Sequence, residues 1–362
     1  MKRIFLSAAL CVMANVSFAS EPSTLVEGAE PSISRSSTGL YFSLDGSWQQ
    51  VNLPSNSLGF QLLSPTLSDP RALSISHSID GSALRGFIGY YLPGDYTHTV
   101  LGRNTRFEIG GQYVQASGTS GGTSSSDDGG AVRLNLDGSI SASGYACSGG
   151  QTCTVDGDAS AKYSSWQMTG TFAGDYRYGA MTITPSMGVL GGEAKTSLSS
   201  EQTLSVSSSA NNAIYEARTT LDWTDLGARI GLNGRAEVAP GVTMGVGGWA
   251  GFAVRRASLS GSDVLVDQII GGFISGSSVV SGVDADTTAF LANIEIDAAY
   301  RPMPGISVRA FAGLNFDNKV PSISSATFAG SFSPAATEAA SISFHPETSY
   351  YAGARVTWAF SP

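Results

Sequence analysis

The chain has 362 residues, room for one large or two ordinary domains, and its net charge of −9 argues against nucleic acid as a partner. Only 14% of its residues are charged, 44 are glycine and 42% are hydrophobic. Beyond the N-terminus no apolar run reaches the ~18–20 residues of a membrane-crossing helix, so the apolar residues are dispersed rather than blocked.

Lys2 and Arg3 precede an apolar stretch from Ile4 to Met13, and Ser17-Phe18-Ala19 supplies small residues where a signal peptidase reads. This predicts a signal peptide over 1–19, cleaved after Ala19. Leu10 before Cys11 is too large for a lipoprotein signal. Cleavage takes the net charge from −9 to −11 and leaves two cysteines, Cys147 and Cys153, separated by five residues in a Gly/Ser-rich stretch. In an oxidising compartment these are expected to form a disulfide; no histidine lies near enough to suggest a metal site instead. Residues 20–38 are polar and aperiodic, and read as a flexible periplasmic lead-in.

From residue 39 the chain alternates. Leu40, Phe42, Leu44, Gly46 and Trp48 oppose Tyr41, Ser43, Asp45, Ser47 and Gln49 in a first strand. A second near 83–92 sets Leu84, Ile88 and Tyr90 against Arg85 and Phe87, and Pro93-Gly94-Asp95 ends it. A third over 103–116 sets Phe107, Ile109 and Tyr113 against Arg106, Glu108 and Gln112. The segment 117–160 reads as a long loop holding the cysteines and a small hairpin from Ala131. Strand four, about 161–176, turns at Tyr176–Gly179 into strand five, where Pro185 counts against a perfect ladder.

Residues 213–238 form one long strand in which the apolar parity switches between Trp223 and Leu226, predicting a bulge at 223–225. Strand seven carries Val242 to Val254 opposite Thr243, Trp249 and Arg255. Strand eight sets Phe290, Ile294, Ile296 and Tyr300 against Glu295 and Asp297. Strand nine sets Val308 and Leu314 against Arg309 and Phe311. The last strand alternates Tyr350, Ala352, Ala354, Val356, Trp358 and Phe360 with Tyr351, Gly353, Arg355 and Thr357. Short turns near 93–98, 176–179, 239–241 and 301–305 alternate with long segments at 51–82, 117–160, 191–212, 258–286 and 316–347.

Gly353, Val356, Trp358 and Phe360 resemble the C-terminal signal by which bacterial outer-membrane β-barrels are recognised for insertion, although Ser361-Pro362 follow the usual terminal Phe. Leu226 to Arg235, with its Gly-Ala-Arg-Ile-Gly-Leu-Asn-Gly-Arg run, resembles a strand of porin-like major outer-membrane proteins of Gram-negative bacteria. Tyr300-Arg301-Pro302 through Arg309 and Asn315 resembles a later strand pair of the same proteins. These resemblances cover about 225–318. The expected fold is all-β: a closed antiparallel transmembrane barrel over 39–362 with about ten strands, eight or twelve if 58–67 or 131–140 change the count. Short turns would be periplasmic and long loops extracellular.

The apolar, mostly even-numbered face would then meet lipid. Trp48, Trp166, Tyr215 and Phe252 would lie at the outer interface, and Tyr90, Tyr176, Tyr300, Trp358 and Phe360 at the inner one. The other face gathers Arg85, Arg106, Glu108, Arg229, Arg235, Arg255, Glu295, Asp297, Arg309 and Arg355, joined by Asp45, Asp175, Glu216, Asp222 and Glu237. They would either line a watery path that sets ion preference or pair across a narrow lumen and fill it.

The functional expectation is passive, porin-like passage of small hydrophilic solutes or ions. A closed barrel acting through its outer loops in adhesion, phage or host contact, or envelope integrity is the alternative, and an outer-membrane hydrolase a remote one. Implied partners are outer-membrane lipid and lipopolysaccharide, the barrel-assembly machinery and small solutes; no cofactor or metal is expected. The three histidines, His77, His98 and His345, with Asp80 and Glu347 near two of them, match no spacing of a barrel protease or phospholipase, so the chain is not expected to be an enzyme.

Overall fold

In a computed structural model, residues 39–54, 61–63, 78–92, 103–126, 131–133, 144–146, 151–207, 209, 212–267, 274–324, 327–328, 336–338 and 341–360 are described. The signal peptide, the lead-in, His77, His98 and the expected turn at 93–98 lie outside them. Ten strands close on themselves: β1 Leu40–Asn52, β2 Ser78–Tyr91, β3 Arg103–Ser126, β4 Cys153–Tyr178 and β5 Met181–Val206, then β6 Asn212–Ala239, β7 Val242–Asp267, β8 Ile274–Met303, β9 Ile306–Ser324 and β10 Ser341–Ala359. Each pairs antiparallel with its sequence neighbours, and β10 returns to β1 through a register that sets Asp45 opposite Arg355 and Phe42 opposite Trp358. Gln61–Leu63 and Ala131–Arg133 do not join the wall. They pair with each other, and Ala131–Arg133 also pairs with Gly144–Ala146, in a separate small sheet.

Closure follows from the outward face. Every strand presents large apolar side chains outward, among them Leu44, Ile88, Ile109, Met168, Val189, Ile230, Val246, Ile296, Val308 and Tyr350, all exposed. Leu226 and Ile230 reach 72% and 70% exposure. No water-soluble surface carries such a continuous belt, and in hydrocarbon a sheet can keep no unpaired edge. On β4 the belt runs from Trp166 to Tyr176, eleven positions, which is the span a tilted strand needs. Turns at one end are as tight as hairpins allow, and Gly179, Gly241 and Gly305 take the positive φ (59°, 75° and 80°) these turns require. Pro185 stays inside β5, but β4–β5 pairing lapses between Ala173↔Ser186 and Tyr176↔Ile183, because proline offers no N–H to the ladder.

The other end departs from expectation. The segments read as loops at 117–160, 191–212 and 258–286 are in large part strand: β3 continues to Ser126, β4 starts at Cys153, β5 ends at Val206 and β6 starts at Asn212. With 28 residues, β6 alone is ~90 Å of chain, or ~70 Å of height at a ~40° tilt, against a bilayer core of ~30 Å. The wall formed by β3–β8 therefore rises far beyond the belt, while β1 and β2, with 13 and 14 residues, stay short.

The interior of this raised wall is mainly apolar, with Thr196, Ser200, Gln202 and Thr219 as buried polar exceptions. Val51, Leu53, Ile79, Ala83, Val114, Ala116, Ala159, Ala161, Ala194, Leu198, Leu221, Trp223, Ala257, Leu259 and Ile323 form one buried cluster, with Tyr163, Val283, Ile342 and Phe344 packed on it. This corrects two expectations. No bulge occurs at 223–225: the registers of β6 with β5 and β7 run through those residues unbroken. The apolar parity switches because the surroundings switch, from a dry interior beside Tyr215 and Trp223 to lipid beside Leu226 and Ile230. Tyr215 is accordingly not at the lipid interface but 1% exposed inside the wall.

Ile230→Arg puts a charge in mid-belt and is expected to destabilise the inserted barrel by ~2–4 kcal/mol. Urea titration of folding into lipid vesicles measures it, and Ser258→Arg, outward but beyond the belt, serves as the near-neutral comparison.

Candidate functional site in the lumen

At belt height the inward positions change from alanine and leucine to arginine and carboxylate. All ten lumen residues expected from the sequence lie on inward-facing positions, and all but Arg229 group into clamps rather than lining an open tube. The first spans β1, β2, β8 and β10. Asp45, 2% exposed, accepts from Arg85 Nε at 2.9 Å and Arg355 Nε at 2.9 Å, while Arg85 Nη2 reaches Glu295 Oε2 at 3.3 Å. Tyr351 Oη donates to Glu295 at 3.1 Å and accepts from Asn293 Nδ2 at 2.7 Å. Both guanidinium groups lie 5.2–5.4 Å from the rings of Phe87 and Phe311. Since β2 and β8 are not neighbours in the wall, the Arg85–Glu295 contact crosses the lumen.

Three further groups follow. Arg106 holds Glu108 at 2.8 Å and Asp175 at 3.0 Å, with Tyr41 donating to Glu108 from two strands away. Arg255, 1% exposed, meets Asp225 at 2.7 Å and Asp317 at 2.8 Å, donates to the Lys319 carbonyl at 2.7 Å, and lies 5.8 Å from the Trp223 ring. Asp297 is shared by Arg235 at 3.6 Å and Arg309 at 3.4 Å, distances of charge attraction rather than of hydrogen bonds. Paired this closely, the charges in the narrow lumen offset much of their desolvation cost.

Asp225 and Asp317 were missed by the sequence reading. The first lay in the supposed bulge and the second in a supposed loop, and the signal that could have found them is the need of inward Arg255 for carboxylates, Asp225 opposite it on β6 and Asp317 beyond β8 on β9. Two other acids were misplaced: Glu216 and Asp222 face outward beyond the belt, where Asp222 meets Lys195 at 3.6 Å. Glu237 sits at the turn end and accepts from the Gly241 N–H at 3.2 Å.

Between the apolar cluster and the Asp45 clamp lies a chamber of about 220 Å³ to which all ten strands contribute. Val51, Ala194 and Trp223 border it on the cluster side, and Asp45, Arg85 and Tyr351 on the ionic side. His345 belongs to β10 rather than to a loop. Its Nε2 is 3.2 Å from Ser343 Oγ, which is 2.6 Å from Ser322 Oγ on β9, and Glu347 lines the chamber. Cys153 is buried and disulfide-bonded; its expected partner Cys147 lies outside the described residues. Gly353, Val356 and Trp358 lie within closing strand β10 and Phe360 follows its end, where its N–H donates to the Leu40 carbonyl at 3.0 Å.

Arg255→Ala leaves Asp225 and Asp317 without their shared cation and is expected to cost ~3–5 kcal/mol in reversible unfolding. Arg256→Ala, one residue along and facing out, is expected to stay within ~0.5 kcal/mol.

No protein-family model matches the chain, and no curated protein matches it. Solved structures do. The chain is similar to the outer membrane protease OmpT from Escherichia coli at 11% identity and a TM-score of 0.40, covering 91% of this chain and 99% of that one. It is similar to the COG4313 outer membrane channel from Pseudomonas putida F1 at 9% identity and a TM-score of 0.29, covering 92% and 100%. A Pseudomonas aeruginosa FadL homologue matches at 8% identity and a TM-score of 0.24, covering 88% and 90%. Likenesses this weak show a shared barrel shape and lend no weight to an absence of catalysis. The similar structures include a protease as well as channels, and the expectation that the chain is not an enzyme is withdrawn.

Proposed function

We propose that the chain is a Gram-negative outer-membrane barrel whose lumen is closed at rest and whose working surface is the raised β3–β8 wall with its connecting segments. That surface would serve contact with another cell, a phage or the surrounding envelope. The even strand count, tight turns at one end and raised wall at the other support an orientation with the turns in the periplasm. The observation that carries the closed lumen is the Arg85–Glu295 contact between non-adjacent strands, backed by Arg355 on the same two carboxylates. Beyond it the apolar cluster stands across the way out. A solute would have to separate buried ion pairs and then pass a dry layer, and each step is costly.

Passive passage of small hydrophilic solutes is the second reading, and the chamber favours it. Planar-bilayer recording on purified, inserted protein separates the two. The closed reading expects no discrete conductance from the unmodified chain. It also expects steps to emerge only when the bridge is cut together with the dry layer, as in Arg85→Ala/Glu295→Ala/Trp223→Ala. Reproducible steps from the unmodified chain, with ion preference altered by Arg229 or Arg309 substitution, would overturn the closed lumen and establish passage.

A further inference from the structure

Six of the seven lumen arginines sit within 4.0 Å of a carboxylate: Arg85, Arg106, Arg235, Arg255, Arg309 and Arg355. Arg229 does not, among the described residues. Its side chain makes one hydrogen bond, Nη2 to Thr171 Oγ1 at 2.8 Å, and its guanidinium lies 5.3 Å from the Trp249 ring. Both Arg229 and Trp249 border the chamber. Gln112 and Gln167, opposite each other across the β3–β4 ladder, present amide groups to the same space.

We propose that the chamber is a binding site for a small carboxylate, held by the Arg229 guanidinium. Three features carry this. A guanidinium is always charged and offers donors in a planar fork that matches a carboxylate, and here only one of those donors has a side-chain acceptor. The indole beside it fixes the guanidinium plane and supplies an apolar wall for the ligand's carbon atoms. The amide side chains can turn N–H toward an anion without adding charge. Five acids line the chamber: Asp45, Asp225 and Asp317 are each held by their own arginines and so compete little for Arg229, and among the described residues neither Glu193 nor Glu347 forms an ion pair with it. A volume of about 220 Å³ is ample for a short organic acid. Occupancy requires a ligand to pass one of the two barriers, the ionic clamp or the apolar cluster, whereas conduction requires it to pass both, so a barrel closed to steady passage can still be filled from one side.

Trp249 reports the site. Iodide quenches indole fluorescence on contact, so an iodide titration of folded protein in detergent at constant ionic strength is expected to show a saturable component. That component should shrink in Trp249→Phe, vanish in Trp249→Phe/Trp223→Phe, weaken at least tenfold in Arg229→Gln and persist in Arg229→Lys. Sodium acetate should displace it at lower concentration than sodium chloride. Neutral acrylamide should quench unmodified protein and Arg229→Gln alike, and the heat-dependent gel mobility of a closed barrel confirms folding of each variant. Strictly linear iodide quenching in the unmodified protein overturns the proposal whether or not any variant folds. Unchanged saturation in folded Arg229→Gln overturns it too, and equal displacement by chloride and acetate overturns the carboxylate assignment.

Discussion

A backbone that crosses hydrocarbon must satisfy each of its own N–H and C=O groups, and nearly everything in this molecule descends from that requirement. It forces β10 back onto β1, so the last strand and the first share one ladder although the paired residues, from Gln50↔Tyr350 to Tyr41↔Ala359, are 300 to 318 apart in sequence. It fixes which side chains can exist on each face. It also explains why glycine is so frequent. At Gly353 an added Cβ would lie 2.3 Å from the Gly46 carbonyl oxygen, and at Gly227 2.1 Å from that of Phe252, so the wall is tight enough there that only hydrogen fits.

Closing ten strands leaves a narrow interior, and a narrow interior must be filled. The chain fills it in two ways along one axis. At belt height, where the outside is apolar, the inside is built of crossed ion pairs with aromatic rings laid against the guanidinium groups. Beyond the belt, where the outside is wet, the inside is mostly aliphatic and aromatic, with a few buried polar side chains such as Gln202 and Thr219. Each half is the reverse of the other, and the Arg255 clamp against Trp223 is the seam between them. The chamber sits at this seam, where neither filling is complete.

The belt-height half was legible in the sequence because large apolar and charged residues alternate strongly there: Ile230 beside Arg229, Ile296 beside Glu295, Val356 beside Arg355. Strand number, tight turns and the inward arginines all followed. The raised half was not legible, and the reason is physical. Its inner face is mostly alanine and its outer face mostly serine, threonine and aspartate, so residues such as Ala159-Ser160-Ala161 alternate in polarity without alternating in bulk and pass for loop. The false bulge at 223–225 has the same origin. A parity reading assumes that one face stays apolar, whereas in β6 the faces exchange environments while the strand runs straight. The carboxylate partners were hidden for two reasons: Asp225, directly opposite Arg255 on the neighbouring strand, fell at the false bulge, and Asp317 pairs across the intervening β8, which leaves no trace in local spacing.

The straight run of β6 through that exchange has a consequence for how the wall finds its alignment. A slip of one residue against β5 or β7 would turn Arg229 and Asp225 toward hydrocarbon and, in the same motion, Tyr215 and Trp223 toward water. An ordinary barrel strand is policed by one solvent boundary, whereas this strand is policed by two, with opposite preferences at its two ends. No one-residue shift can satisfy one half at the expense of the other, so the reversal that disguised the strand in the sequence also guards its register against such a slip.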